Sequence, residues 1–219
     1  MSNRNEFSAG LGAKVCGAVA DAGGTPEELN GFSENVTLVK QLLAVIRGTA
    51  KIVVTEVAKI LQLAKAKISV PALKTPFVAK DHFIVDVSDK AEVKISYIGD
   101  NFKQQFIKQT VAPRGELNLS SWKLSKNSLD KPILDELGDK QETDIVAVYD
   151  LMKLQPKGEK GVLLTNGYAN IFYCRDAAGV LRAVDVRWDG DGWGVDSCLV
   201  GDPRGWNEGY QVFSCNSVA

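Results

Sequence analysis

The chain has 219 residues, 45% hydrophobic and 24% charged, the composition of a globular protein with a real core. Its 26 Lys and Arg against 27 Asp and Glu exclude a surface built throughout to hold nucleic acid. No apolar run reaches the ~18 residues of a membrane span, and Lys14 interrupts the apolar stretch Phe7–Ala20, unlike a secretory leader, so the expectation is a cytoplasmic protein.

Helices come first. Thr25-Pro26-Glu27-Glu28 carries a capping residue, a proline at the first helical position and a glutamate that completes a capping box. A short helix to about Asn30 follows, closed by Gly31. Ser33 is read as the cap of a second helix, with Val36, Val39, Leu42, Leu43 and Ile46 at helical spacing and Gly48 at its end. Thr49 is read as the cap of a third, with Val53, Val57, Ile60, Leu61 and Ala64 on one face. Two such helices with a short link make an antiparallel hairpin. From Lys40 to Lys80 eight basic residues face one acid, Glu56. That stretch is either a solvated face or a surface for an anionic partner, with Lys51, Lys59, Lys65 and Lys67 the candidate contacts.

Pro71 and Pro76 mark a boundary near residue 70. Two regions follow from it: a helical one at 1–70 and an α+β domain at 71–219 with a β-rich C-terminal part. Phe83, Val85 and Val87, then Val93, Ile95 and Tyr97, alternate with polar residues and predict a hairpin linked by Ser88–Ala91. Asp100 is read as capping a short helix with Phe102, Phe106 and Ile107. Leu117–Leu124 reads as a strand interrupted at Ser120-Ser121. Helices are predicted near Lys131–Leu137 and Thr143–Leu154, the second capped by Thr143.

The remainder is β-rich. Gly161–Leu164 is a short apolar run before the turn Asn166-Gly167. Asn170–Arg175 and Val180–Trp188 flank the turn Asp176–Gly179, with Gly179 available for positive φ. Val184, Val186 and Trp188 share one strand face, Asp185 and Arg187 the other. Trp193–Val200 and Tyr210–Cys215 complete a mainly antiparallel sheet of five to seven strands with a few short helices on one side. Gly167-Tyr168 precedes Phe172 and Cys174, as Gly209-Tyr210 precedes Phe213 and Cys215, so the thiols are close if those two strands pair.

Several stretches resemble a family of short hypothetical proteins encoded in genomes of uncultivated small-genome bacteria. They are Val93–Phe102 (VKISYIGDNF), Gly161–Gly167 (GVLLTNG), Ala178–Trp188 (AGVLRAVDVRW) and Gly209–Ser214 (GYQVFS). The resemblance covers about Val78 to Ser217. It implies a shared domain and carries over no catalytic residue.

Chemistry is sparse in the pattern. His82 is the one histidine, at a strand start, and no G-x-S-x-G elbow supplies a serine nucleophile. No phosphate-binding glycine loop occurs, so no nucleotide cofactor is expected. Cys16, Cys174, Cys198 and Cys215 lack the paired spacing of a zinc site. Asp189, Asp191, Gly194 and Asp196 approximate a calcium loop, but Trp193 and Val200 stand where it needs an oxygen ligand and a glutamate. No metal is expected.

Two constellations remain. Trp193, Trp206 and Tyr210 lie beside Asp189, Asp191 and Asn207, giving the ring faces and acceptors that a sugar needs; tryptophan packs β cores equally well. Asp185, Asp189, Asp191, Asp196 and Asp202 offer carboxylate pairs for acid–base hydrolysis. The reading that follows is a non-enzymatic interaction or structural module with a protein partner. A carbohydrate-binding domain and an acidic-residue hydrolase are the alternatives. A glycan is a possible ligand, and neither a membrane nor a nucleic acid is an expected partner.

Overall fold

The computed structural model describes residues 9–51 and 59–216. The chain divides into two compact units, residues 1–57 and 58–219. The first holds helices α1 (Ala9–Asp21), α2 (Pro26–Glu34) and α3 (Val36–Ile46). The Thr25 capping box forms as the sequence predicts: the Glu28 amide donates to Thr25 and the Thr25 amide donates to the Glu28 carboxylate. Gly31 does not end α2, which runs on to Glu34. The cap of α3 is Asn35, not Ser33. Its Oδ1 accepts the Leu38 amide at 3.0 Å, whereas the Ser33 hydroxyl turns back to the Asn30 carbonyl.

The predicted third helix is corrected over its described residues. Its stretch 52–58 lies outside them, and Leu61–Val70 is a strand, β1, not the far arm of a helical hairpin. Tertiary pairing overrides the helical period here. Ile60 and Leu61 are buried, the Glu136 carboxylate accepts their amides, and β1 pairs antiparallel with β5 (Leu117–Leu124). β1 forms one edge of the sheet, with Lys65 and Lys67 exposed along it. Lysines on an edge strand oppose pairing with a second sheet, so these two cations have a structural reason to be there.

The remaining elements of this unit are β2 (Phe77–Val78), β3 (Ile95–Ile98), α4 (Asp100–Gln105), β4 (Thr110–Val111), β5, α5 (Asp130–Leu137), β6 (Glu142–Thr143), α6 (Ile145–Lys153), β7 (Asn170–Arg175), β8 (Leu181–Trp188), β9 (Trp193–Leu199) and β10 (Gln211–Cys215). They build a mixed, mostly antiparallel sheet of eight strands, ordered β1-β5-β10-β7-β8-β9-β3, with β6 beside β7. Three pairings are parallel, β10 with β7, β3 with β9 and β6 with β7, so the sheet is larger and less uniformly antiparallel than the alternation suggests.

Both faces of the sheet are covered, not one. The first face carries Phe172, Val184, Val186, Trp193, Val195 and Phe213 against α4 and α6. The second carries Ile171, Tyr173, Ala183 and Val212 against Ile133 and Leu137 of α5 and Trp206. The matching Phe172 and Phe213 do stack, their ring centroids 4.4 Å apart on neighbouring parallel strands. Cys174 and Cys215 belong to the same core.

Several boundaries differ from expectation. The 83–97 hairpin reduces to a single bridge between Asp86 and Ile95, because Asp86 turns its carboxylate onto the Ser88 amide and β3 pairs with β9 instead. The β5 strand is continuous through buried Ser120 and Ser121, and the irregularity falls on β1. Asp144, not Thr143, caps α6, accepting the Ala147 amide at 2.7 Å. Residues 161–164 are irregular.

The β7–β8 turn forms as the sequence predicts, with Gly179 at φ 78°. Its anchor is the buried Asp176 carboxylate, which accepts the Ala178 and Val180 amides and pairs with Arg182 at 2.8 Å. Burial pushes this carboxyl up, but Arg182 and the two amides outweigh it and hold it below the ordinary aspartate value. A depressed folded-state pKa contributes stability that is present above the unfolded value and lost as pH falls through the folded one. Asp176→Asn is therefore expected to flatten the acid limb of a Tm-versus-pH curve below about pH 4. A variant that loses the same stability as the parent on that limb contradicts this.

Candidate functional site

The second sheet face opens, beside its apolar patch, into a cavity of about 500 Å³. Its floor comes from strand alternation. On β8, Val184 and Val186 point to the first core, so Asp185 and Arg187 point to the second face. On β9, Trp193 and Val195 take the first face, which leaves Gly194, Asp196 and Cys198 on the other. Asp185 and Asp196 are directly opposite in the β8–β9 register.

β3 supplies Tyr97 through a local irregularity. Ile95 and Ile98 are both buried in the first core, and the register with β9 shifts between Ile95 and Tyr97. The extra residue re-aims the strand, as bulges do. Tyr97 thereby leaves the face expected from its alternation with Val93 and Ile95, and lines the cavity, 56% exposed.

The opposite wall is the segment from Asp202 to Tyr210. It is tied down by Asp130, the first residue of α5, whose side chain is only 1% exposed. One carboxylate oxygen accepts the Tyr173 hydroxyl at 2.8 Å and the Trp206 indole N–H at 2.7 Å. The other accepts the Gly201 amide at 2.7 Å. Paired backbone bonds between Ser128 and Trp206 complete the attachment. Gly205 must be glycine: its φ is +63°, and a Cβ there would stand 2.8 Å from the Ser128 carbonyl oxygen.

The charges are partly neutralised. Arg187 donates to Asp185 at 2.8 Å and lies over the Tyr210 ring, 5.4 Å from its centroid. Arg204 grips Asp202 through two nitrogens, at 3.0 and 2.9 Å, and this holds the half-buried Asp202 carboxyl down to about 2. Burial pushes the Asp185 carboxyl up; Arg187 opposes the shift and Asp196 adds to it. Burial also raises the Cys198 thiol to about 12, so it is no thiolate nucleophile at neutral pH.

Asp196 is held in place. Its Oδ1 accepts the Ser197 amide at 2.8 Å, and its carboxyl lies against the backbone of Gly99, where a Cβ would stand 2.0 Å from Oδ1.

The aromatic constellation read from the sequence is divided by the sheet. Trp206, Tyr210, Asp189 and Asn207 line the cavity. Trp193 is fully buried on the opposite face, its indole N–H bonded to the Gln155 carbonyl at 3.0 Å. Asp191 is exposed in the β8–β9 turn and outside the cavity lining. Trp206 is 6% exposed, so Tyr97 provides the exposed ring, with the half-buried Tyr210 under Arg187 beside it. Lys51 and Lys59 are exposed outside any regular element, and with Lys65 and Lys67 on β1 they do not form one helix face. His82 stacks on Phe77 at 4.1 Å and packs against Tyr149, away from the cavity lining.

Sequence reasoning missed Tyr97, Arg187 and Asp130 as parts of this site. Asp185 and Arg187 carried a signal, two charged residues on one strand face. Asp130 showed only as a carboxylate at a helix start.

Among the described residues no His, Cys, Asp and Glu side chains group to hold a metal ion, and no helix is long and apolar enough to cross a membrane. No family model matches the chain, and neither a curated protein nor a solved structure matches it.

Proposed function

We propose that the protein is a non-enzymatic binding module whose β8–β9 cavity takes a polyhydroxylated, sugar-sized ligand. The observation that carries this is the combination of ring faces and fixed acceptors in one concavity: Tyr97 and Tyr210 beside Asp189, Asp196 and Asn207. The volume, about 500 Å³, lies in the usual range for small-ligand sites. Sugar rings stack their C–H faces on aromatics while carboxylates and amides accept from the hydroxyls. The two arginines, fixed by Asp185 and Asp202, supply oriented donors.

Calorimetric titration with a panel of mono- and disaccharides tests this. A sugar is expected to bind, and Tyr210→Ala or Asp196→Ala to weaken it by about tenfold, the loss of one good contact. A panel without a binder, or binding unaffected by both variants, overturns the reading.

One observation favours a second reading, hydrolysis. Asp185 and Asp196 face each other across neighbouring strands, and burial favours the protonated form of Asp185, the property of a general acid. Turnover of aryl glycosides that Asp185→Asn and Asp196→Asn both abolish supports it; a bound glycoside left intact removes it.

A further inference from the structure

We propose that the ligand of this cavity carries an amino group, as an amino sugar does, and that Asp196 and Asp189 receive its ammonium. The proposal rests on the polyol reading and narrows it. The cavity is lined by five carboxylates (Asp130, Asp185, Asp189, Asp196, Asp202) and two guanidiniums (Arg187, Arg204). The surplus of negative charge is three with all five ionised, and two with a proton on Asp185.

That surplus is unevenly placed. Arg187 is bonded to Asp185 and Arg204 to Asp202. Asp130 spends its oxygens on three donors in the interior. Among the described residues no lysine or arginine makes an ion pair with Asp189 or Asp196. Both line the cavity, and Asp189 Oδ2 lies 3.3 Å from where a Cβ on Gly194, two residues before Asp196, would stand. Asp196 is oriented in advance by the Ser197 amide and the Gly99 backbone, so little side-chain order is lost on binding.

A concave site with excess carboxylate concentrates cations. An ammonium has three donors and needs several acceptors close together, and the exposed Tyr97 ring favours a cation over a neutral group. An anionic sugar meets the opposite conditions, because the five carboxylates of the lining outnumber its two guanidiniums. A bare metal ion lacks a grouped ligand set among the described residues.

The test is calorimetry at about pH 6, where a primary amine is protonated. Glucosamine, galactosamine and mannosamine are each compared with the parent hexose and the N-acetyl form. At least one amino sugar is expected to bind tenfold or more tightly than its neutral counterparts. Asp196→Asn should collapse that preference, weakening the amino sugar about tenfold more than its neutral counterpart. Added salt should weaken only the amino sugar. Equal binding of charged and neutral forms overturns the amino-group proposal and leaves the polyol reading standing. No binding by any of the nine sugars overturns both. An unchanged Tm for Asp196→Asn shows that its effect is not a loss of fold.

Discussion

Asp130→Ala is expected to destabilise the 58–219 unit by about 3–5 kcal/mol, because it strands several buried donors at once. The Tyr173 hydroxyl, the Trp206 indole N–H and the Gly201 amide all end on this one carboxylate. With the side chain only 1% exposed, water cannot replace it without opening the structure. For a unit of this size the loss corresponds to a fall in Tm of roughly 10 °C. Asp130→Asn is informative too. The amide keeps an oxygen for Tyr173 and Trp206 but presents N–H to the Gly201 N–H. It should therefore loosen the wall of the cavity more than its volume change implies. A fall of less than about 1 kcal/mol in Asp130→Ala contradicts the account, since that is the size of one ordinary hydrogen bond.

Trp193→Ala should cost about 3–5 kcal/mol and leave ligand affinity unaltered. Trp193 is 0% exposed, packs edge-on against Trp188 at 5.5 Å and belongs to the core on the face away from the cavity. Its truncation leaves a large void and removes one of two donors from the Gln155 carbonyl, which keeps the Gly158 amide. Trp206→Ala differs in kind. Trp206 holds the cavity wall to Asp130 and lines the cavity, so both stability and binding should fall. Chemical denaturation with sugar titration separates the two. Equal loss of binding in both variants contradicts the assignment of the rings to opposite faces.

Local chemistry made much of this legible. The Thr25 capping box, the Gly179 turn and the alternation of Val184, Val186 and Trp188 against Asp185 and Arg187 are short-range features, and short-range physics determines them. The errors lie where distant partners decide. Val53, Val57, Ile60, Leu61 and Ala64 fall at helical spacing, but from Leu61 to Val70 the backbone is claimed by β5, and its start by Glu136. Tyr97 changes face through a register shift that depends on β9. Trp193 and Trp206 are near in sequence and read as neighbours, yet strand alternation sends Trp193 to one side of the sheet and the Asp130 bond fixes Trp206 on the other. The acidic pairs were visible as a surplus of aspartates; which of them face each other, Asp185 and Asp196, is a matter of register alone.

The central claim is that the second face of the β8–β9 pair receives a sugar-like ligand. Amide-resolved NMR with increasing glucosamine measures this most directly. Shifts confined to Tyr97, Asp185, Arg187, Asp189, Gly194, Asp196, Cys198, Asn207 and Tyr210, saturating with a single affinity, are the predicted result. Saturating shifts centred elsewhere, or a spectrum unchanged by glucosamine and by the rest of the sugar panel, would contradict it.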